Sequence, residues 1–386
     1  MRICLVSAAY RPYLSGVSEH VHNLALSLQA AGHRVHILTT NYRVPNQAAR
    51  PESGSDNGPA YRPEPVPVTR IGQAVILPAF GGHFALSAGA TLAHQVREFL
   101  QRHEFDVVHC HGIFPPELAY WAAVYARAPV VATFHSLTFR SFQFVRQAFR
   151  LLFPALVSHL RARIAVSRTC AEWVTSWFPG HCAVIPNGVD TVRFSPSAGS
   201  EPRLGNRPSI LYVSRIDRRK GLAVLLRAMP AVLRHEPDVR LFVVGSGPDE
   251  PRCRKLGRRL GIEHAVEYCG FVQPDELPSW YSGCTVFCAP ALGPESMGII
   301  LVEAMACGRP VVASRICGYD EVITHDKTGL LFPVGNHDAL APMLVSLLGS
   351  AEFRQRLGQT AHRAAQEYSW PLIAGRIEQV YQQVVR

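Results

Sequence analysis

The chain has 386 residues, 48% of them hydrophobic and 18% charged, with a net charge of +10 and a pI near 9.3. That length exceeds one ordinary core and predicts two or three domains, and the composition excludes a disordered or fibrous chain. The surplus of cations calls for an anionic partner: nucleic acid, a membrane surface or a phosphorylated ligand. Ten cysteines stand singly with no C-x-x-C, which argues against a zinc ribbon or disulfide scaffold and for reduced, mostly buried thiols in the cytosol. No apolar run has the length to span a bilayer, since Arg127 interrupts the longest candidate, Ala119–Phe134. The opening MRICLVSAAY reads as a strand and loop too brief for a signal peptide.

In chain order, Ile3–Ser7 is a predicted strand, followed by the loop Ala8–Gly16 and a helix from about Val17 to Ala30. Val21, Leu24, Ala25 and Leu28 fall at helical spacing, Gly32 is the stop, and Arg34–Thr40 is the next strand. This βαβ opening starts a doubly wound sheet. Pro45–Pro67, rich in Pro, Gly, Ser and Asn, is expected as a mobile loop. Further strands are predicted at Thr69–Leu77, Val107–His109, Val130–Thr133, Ile164–Val166 and Ala183–Ile185, with an amphipathic helix at Leu92–His103. Thr191–Pro208 is polar, broken by prolines and glycines, and serves as the expected linker.

A second alternating series then begins. Strands are predicted at Ile210–Val213, Arg240–Val244, Val266–Tyr268, Thr285–Cys288, Val311–Ala313 and Gly329–Phe332. Between them come helices Gly221–His235, Glu250–Leu260, Asp275–Ser282 and Met297–Cys307, and then Asp338–Leu348, Ala351–Tyr368 and Pro371–Val385. The expectation is an α/β protein of two Rossmann-like domains facing across a cleft: residues 1–190, a linker at 191–208, and 209–370.

Candidate chemistry gathers after the strands. LSGVSEH carries one glycine, Gly16, at a helix entry, so the dinucleotide fingerprint is missing; Gly16 either lets backbone approach a phosphate or is a plain turn. In SRIDRRKG, Arg215 and Lys220 follow a strand end and could neutralise a diphosphate, or belong to a solvated basic turn with Arg218 and Arg219. Gly245 and Gly247 of GSGPDE fit backbone approach to a ligand or a tight turn. His109 and His111 in VVHCHG suggest a metal, but no third ligand lies at a convincing spacing, and no metal site is assigned. His135 suits a sugar hydroxyl or phosphate, or a satisfied structural histidine.

Glu295 stands on a Pro- and Gly-rich loop, and Glu303 a little over two turns into the helix that follows. The backbone N–H groups of Met297, Gly298, Ile299 and Ile300 lie between them, an arrangement that attracts an anion. The pair suits hydroxyl recognition better than the two-carboxylate chemistry of a glycosidase. Separately, Phe139, Phe142, Phe149, Leu152, Phe153 and Leu156 interleave with Arg140, Arg146, Arg150, Arg161 and Arg163. That composition fits a helix lying on an anionic bilayer, or a core helix with a charged edge. No nucleic-acid-binding module is present in the sequence.

Taken together, SGVSEHV, HCHG, FHS, PNGVD, SRIDRRKG, GSGP, YCGFV and above all ESMGIILVEAMACGRPVV resemble the retaining GT-B glycosyltransferases of family four. Among subgroups the chain looks most like the phosphatidylinositol mannosyltransferases. The resemblance implies that Pro371–Arg386 crosses back to the N-terminal, acceptor domain. It implies that Arg215 and Lys220 bind the donor diphosphate with Gly16, that Glu303 holds the ribose and Glu295 the sugar hydroxyls, and that His135 lines the transfer site. Met297, Gly298, Ile299 and Ile300 join the donor contacts; Ser15 and Met297 depart from the usual Gly and Phe. The implied reaction moves a hexose, mannose from GDP-mannose first, to a lipid or glycan acceptor on an anionic membrane. No cofactor beyond the nucleotide-sugar donor is required, a divalent metal is compatible but not indicated, and nucleic acid is not a partner. The expected location is the cytoplasmic face of the membrane, peripherally bound. The alternatives are a UDP-sugar with a soluble acceptor, a GT-B nucleotide-sugar epimerase, or a binding protein without turnover.

Overall fold

Alternating strands and helices build two sheets, seen in a computed structural model that describes residues 1–12, 15–42, 65–79, 82–88, 91–113, 117–135, 147, 151, 158–197, 204 and 207–385. The first sheet comprises β1 (Arg2–Ser7), β2 (Arg34–Tyr42), β3 (Val68–Ala79), β4 (Gly82–Ala88), β5 (Val107–His111), β6 (Val130–Phe134), β7 (Leu160–Ala165) and β8 (Ala183–Val184). Their order is β4-β3-β2-β1-β5-β6-β7-β8, and every neighbouring pair is parallel except β3 with β4. All five residues of β5 and of β6 are buried. Burial on both faces explains why β6, VVATF, is a near-continuous apolar run, while β5 buries His109 and His111 among its apolar residues.

The second sheet comprises β9 (Ser209–Val213), β10 (Arg240–Val244), β11 (Val266–Gly270), β12 (Val286–Ala289), β13 (Val311–Ser314) and β14 (Leu330–Phe332). It is wholly parallel, in the order β11-β10-β9-β12-β13-β14, which is the doubly wound order with its reversal between β9 and β12. Helices Leu222–His235 and His337–Gly349 cover it, and Ile210, Leu225, Met229, Val243, Phe332 and Leu344 share its core. Two compact units result: Met1–Val166 with Cys170–Ile185 and Ala374–Arg386, and Pro186–Ile373 with Ser167–Thr169.

Several expectations need adjustment. Strand β4 was not predicted, because Gly82, Ala85, Ser87 and Ala88 dilute its β signal. Nor was helix Leu118–Tyr125: its sequence LAYWAAVY is apolar all round, so it carries no 3.6-residue periodicity. Most of the loop Pro45–Pro67 lies outside the described residues, but Val66 is buried and the Pro67 carbonyl accepts the Ile37 N–H at 2.8 Å. In the segment expected as linker, Phe194 is buried with its ring 5.8 Å from that of Tyr281. The basic-aromatic stretch also lies largely outside the described residues. Its end is strand β7, so Arg161 and Arg163 stand on a strand rather than on a surface helix. Among the described residues no helix is long and apolar enough to cross a membrane.

Candidate active site

Strands β9 and β12 are neighbours whose connections leave in opposite directions, and the loops beyond their carboxyl ends carry the predicted cations and acids. After β9, the Asp217 carboxylate accepts the backbone N–H groups of Arg219 (2.9 Å) and Lys220 (3.2 Å), closing a tight helical turn over Arg218–Lys220. Gly221 ends that turn at φ 71°, and a Cβ there would sit 1.8 Å from the Pro290 carbonyl oxygen. Only glycine permits this approach, and it sets Lys220 beside the loop leaving β12. Lys220 Nζ donates to Glu295 Oε1 at 2.8 Å, with the side chains 20% and 18% exposed. Arg218, by contrast, is 78% exposed. The basic turn is therefore not uniformly solvated: Lys220 turns inward and Arg218 outward.

Arg215, the second residue after β9, is half-buried. The 245–247 turn closes over its backbone, with Ile216 N–H donating to the Ser246 carbonyl at 3.0 Å. A Cβ on Gly245 or Gly247 would stand 2.1 Å from the Ser214 oxygen or 2.3 Å from the Ile216 oxygen. Close packing alone thus accounts for both glycines.

The helix after Glu295 runs Ile299–Ala306, two residues shorter at its start than expected. Gly298 has φ 84° and cannot belong to a right-handed helix; a Cβ there would also meet the Tyr319 ring at 2.4 Å. Ile299 and Ile300 are the first two residues of the helix, and no side chain caps its start. Met297 does not stand open to a ligand: its side chain is buried and its sulfur accepts the Asn187 N–H at 3.1 Å. Glu303 Oε2 accepts the Tyr281 hydroxyl at 2.8 Å. Burial first, and the Glu303 charge second, push the Tyr281 phenol well above its ordinary range, so it stays a donor. Tyr281 carries no motif that singles it out in the sequence. A cavity of about 710 Å³ lined by Arg309, Arg354 and His362 lies before β12, at the amino ends of the strands, away from the carboxyl ends where open α/β sheets bind ligands.

In the first unit, Ser15 caps helix Gly16–Ala30 by a reciprocal capping box with Ser18. A Cβ on Gly16 would meet nothing within 4 Å among the described residues, so packing does not require glycine there. Beyond β5 and β6, His111 Nδ1 and His135 Nε2 are 3.1 Å apart. The His20 ring lies with its centroid 4.5 Å from that of His135 and 5.3 Å from that of His111. Sequence spacing offered no third histidine for His109 and His111; the fold brings His20 from the first helix instead. His109 is a satisfied core residue, bonded to Tyr381 Oη (2.6 Å) and Thr133 Oγ1 (2.7 Å). Burial, reinforced by His135, lowers its pKa to about 3. Burial and the imidazoles of His109, His20 and His135 likewise hold His111 well below the usual histidine range.

Two doubly wound sheets, the second with a lysine–carboxylate pair and a helix start at its switch point, share the GT-B fold of the solved structures they resemble. Residues 14–193 match Glycosyltransferase Family 4, and residues 198–364 match the glycosyl transferases of group 1. The chain belongs to this family and is a hexosyltransferase. It is 33% identical to the phosphatidyl-myo-inositol mannosyltransferase of Mycobacterium leprae over 387 aligned positions, covering 100% of this chain and 97% of that protein. It is 26% identical to the GDP-mannose-dependent alpha-(1-6)-phosphatidylinositol monomannoside mannosyltransferase of Mycobacterium tuberculosis, covering 97% of each. Among solved structures, a glycosyltransferase of Rickettsia africae superposes with a TM-score of 0.78 at 19% identity, covering 100% of this chain and 98% of that one.

Proposed function

We propose that this enzyme transfers mannose from GDP-mannose, with retention at the anomeric carbon, to a phosphatidylinositol-type lipid at an anionic membrane surface. The observation that carries the reading is the Lys220–Glu295 pair at the β9/β12 switch point, in a chain one-third identical over its length to a phosphatidyl-myo-inositol mannosyltransferase. In this reading the ammonium of Lys220 and the guanidinium of Arg215 face the donor diphosphate, the Ile299 and Ile300 amides add two donors, and Glu295 accepts sugar hydroxyls. Glu303, oriented by Tyr281, accepts from the ribose. Gly16 and His135 keep the diphosphate and transfer roles that the family resemblance gives them.

The chemistry follows from charge. Breaking the bond from the anomeric carbon to the phosphate oxygen leaves negative charge on that oxygen, and fixed donors stabilise it most as the bond breaks. Retention follows when the acceptor hydroxyl enters on the face from which the phosphate departs, delivering its proton to the departing oxygen. The test is Glu295→Ala. Transfer falls by about 10²–10³, while affinity for GDP is largely kept, because Lys220 and Arg215, which face the diphosphate in this reading, are unchanged. Loss of GDP affinity on that substitution instead reassigns Glu295 to the nucleotide. In a thermal-shift panel GDP-mannose stabilises the wild-type protein more than UDP-glucose does.

A further inference from the structure

The geometry points to a second ligand site: His20, His111 and His135 form a three-imidazole site for a late first-row divalent ion of the zinc class. The three side chains each offer a nitrogen, and these nitrogens all lie within 4.8 Å of one another. They come from three separate elements of the first unit, helix Gly16–Ala30 after β1, the last residue of β5, and the residue after β6. β1 and β5 are the neighbours at which the order of the first sheet reverses, the place where open α/β sheets hold ligands.

The shortest distance in the cluster suits an ion better than a set of core histidines. Two nitrogens each 2.0–2.1 Å from one tetrahedral ion stand about 3.3 Å apart, and His111 Nδ1 and His135 Nε2 are already 3.1 Å apart. His109, two residues earlier on the same strand, shows what a satisfied core histidine looks like here, with a partner on each ring nitrogen. His111 differs: its Nε2 is buried with no hydrogen-bond partner among the described residues. A donor set of imidazoles without carboxylate selects Zn²⁺, Co²⁺, Ni²⁺ or Cu²⁺ over Mg²⁺ or Ca²⁺, which demand oxygen. Three protein ligands leave a fourth position for water or a ligand oxygen.

His135 is shared with the transfer role proposed above, but ion binding stands without that role and is measured without turnover. Tag-free full-length protein is stripped with a chelator and titrated with Zn²⁺ against a chromogenic chelator, and in parallel with Co²⁺ by visible absorption. One equivalent of zinc binds, and cobalt gives the intense bands of a four-coordinate ion. His20→Gln and His111→Gln each weaken zinc binding by more than about 100-fold, the upper range for losing a mere supporting residue of a metal site. Zinc affinity unchanged in either variant, or only the weak bands of six-coordinate cobalt in the wild type, overturns the assignment. Should His111→Gln fail to fold, the wild-type cobalt spectrum and His20→Gln decide the matter.

Discussion

The Tyr281 hydroxyl donates to Glu303 from a fully buried ring, so the bond orients a carboxylate without adding charge. Hydrogen bonds to charged groups contribute about 1.5–3 kcal/mol. Tyr281→Phe therefore weakens nucleoside diphosphate binding by roughly tenfold, read by calorimetry, and an unchanged dissociation constant removes Glu303 from the nucleotide site. Gly298→Ala tests a different constraint at this scale. It forces a β-carbon into the left-handed region at about 1–3 kcal/mol and drives it against Tyr319. The unfolding midpoint falls by several degrees. The placing of Glu295, Glu303, Arg215 and Lys220 beyond strand ends and at a helix is legible in the sequence, because each sits in a local pattern of strand, turn and helix start. Tyr281 and the His20 contact are not, because their partners are distant in sequence and only chain folding joins them.

Tyr381, on helix Trp370–Val385, fixes its element to β5 through His109. Tyr381→Phe leaves a buried imidazole nitrogen unpaired at a cost of about 1–3 kcal/mol, which chemical denaturation measures as a lower midpoint; an unchanged midpoint shows the bond to be dispensable. The sequence made long amphipathic helices and apolar strands easy to place at this scale. Leu118–Tyr125 escaped because its small and large apolar residues surround the helix evenly. The helix carrying Glu303 was placed correctly but begun too early, since a pattern of apolar residues does not reveal the positive φ at Gly298.

Across the whole molecule, buried and half-buried histidines set an acid limit. Burial, the largest cause in each case, lowers His22 and His36 to about 4 and His109 to about 3. The unfolded chain takes up these protons near pH 6.5, before the folded chain does. Their contribution is fully present above pH 6.5 and is lost as pH falls towards 4 and then 3. The urea midpoint thus declines steadily below pH 6.5, and a midpoint flat from pH 7.5 to 5 contradicts this account. The net charge of +10 bears on the proposed membrane surface. Flotation with anionic liposomes recovers the protein at low salt and loses part of it at high salt, and absence from liposomes at every salt concentration removes the membrane from the reading.

The first unit includes Ala374–Arg386, separated from its other pieces by the whole of Pro186–Ile373. During translation its early strands leave the ribosome without Tyr381 for His109 or Glu378 for the His33 ring 3.3 Å away. At ordinary synthesis rates that wait lasts on the order of 10–40 s, during which the early strands of the first unit stand without their last helix. A released chain ending at Ile373 is accordingly more protease-sensitive in the first unit than in the second, so the part synthesised earliest is the part completed last.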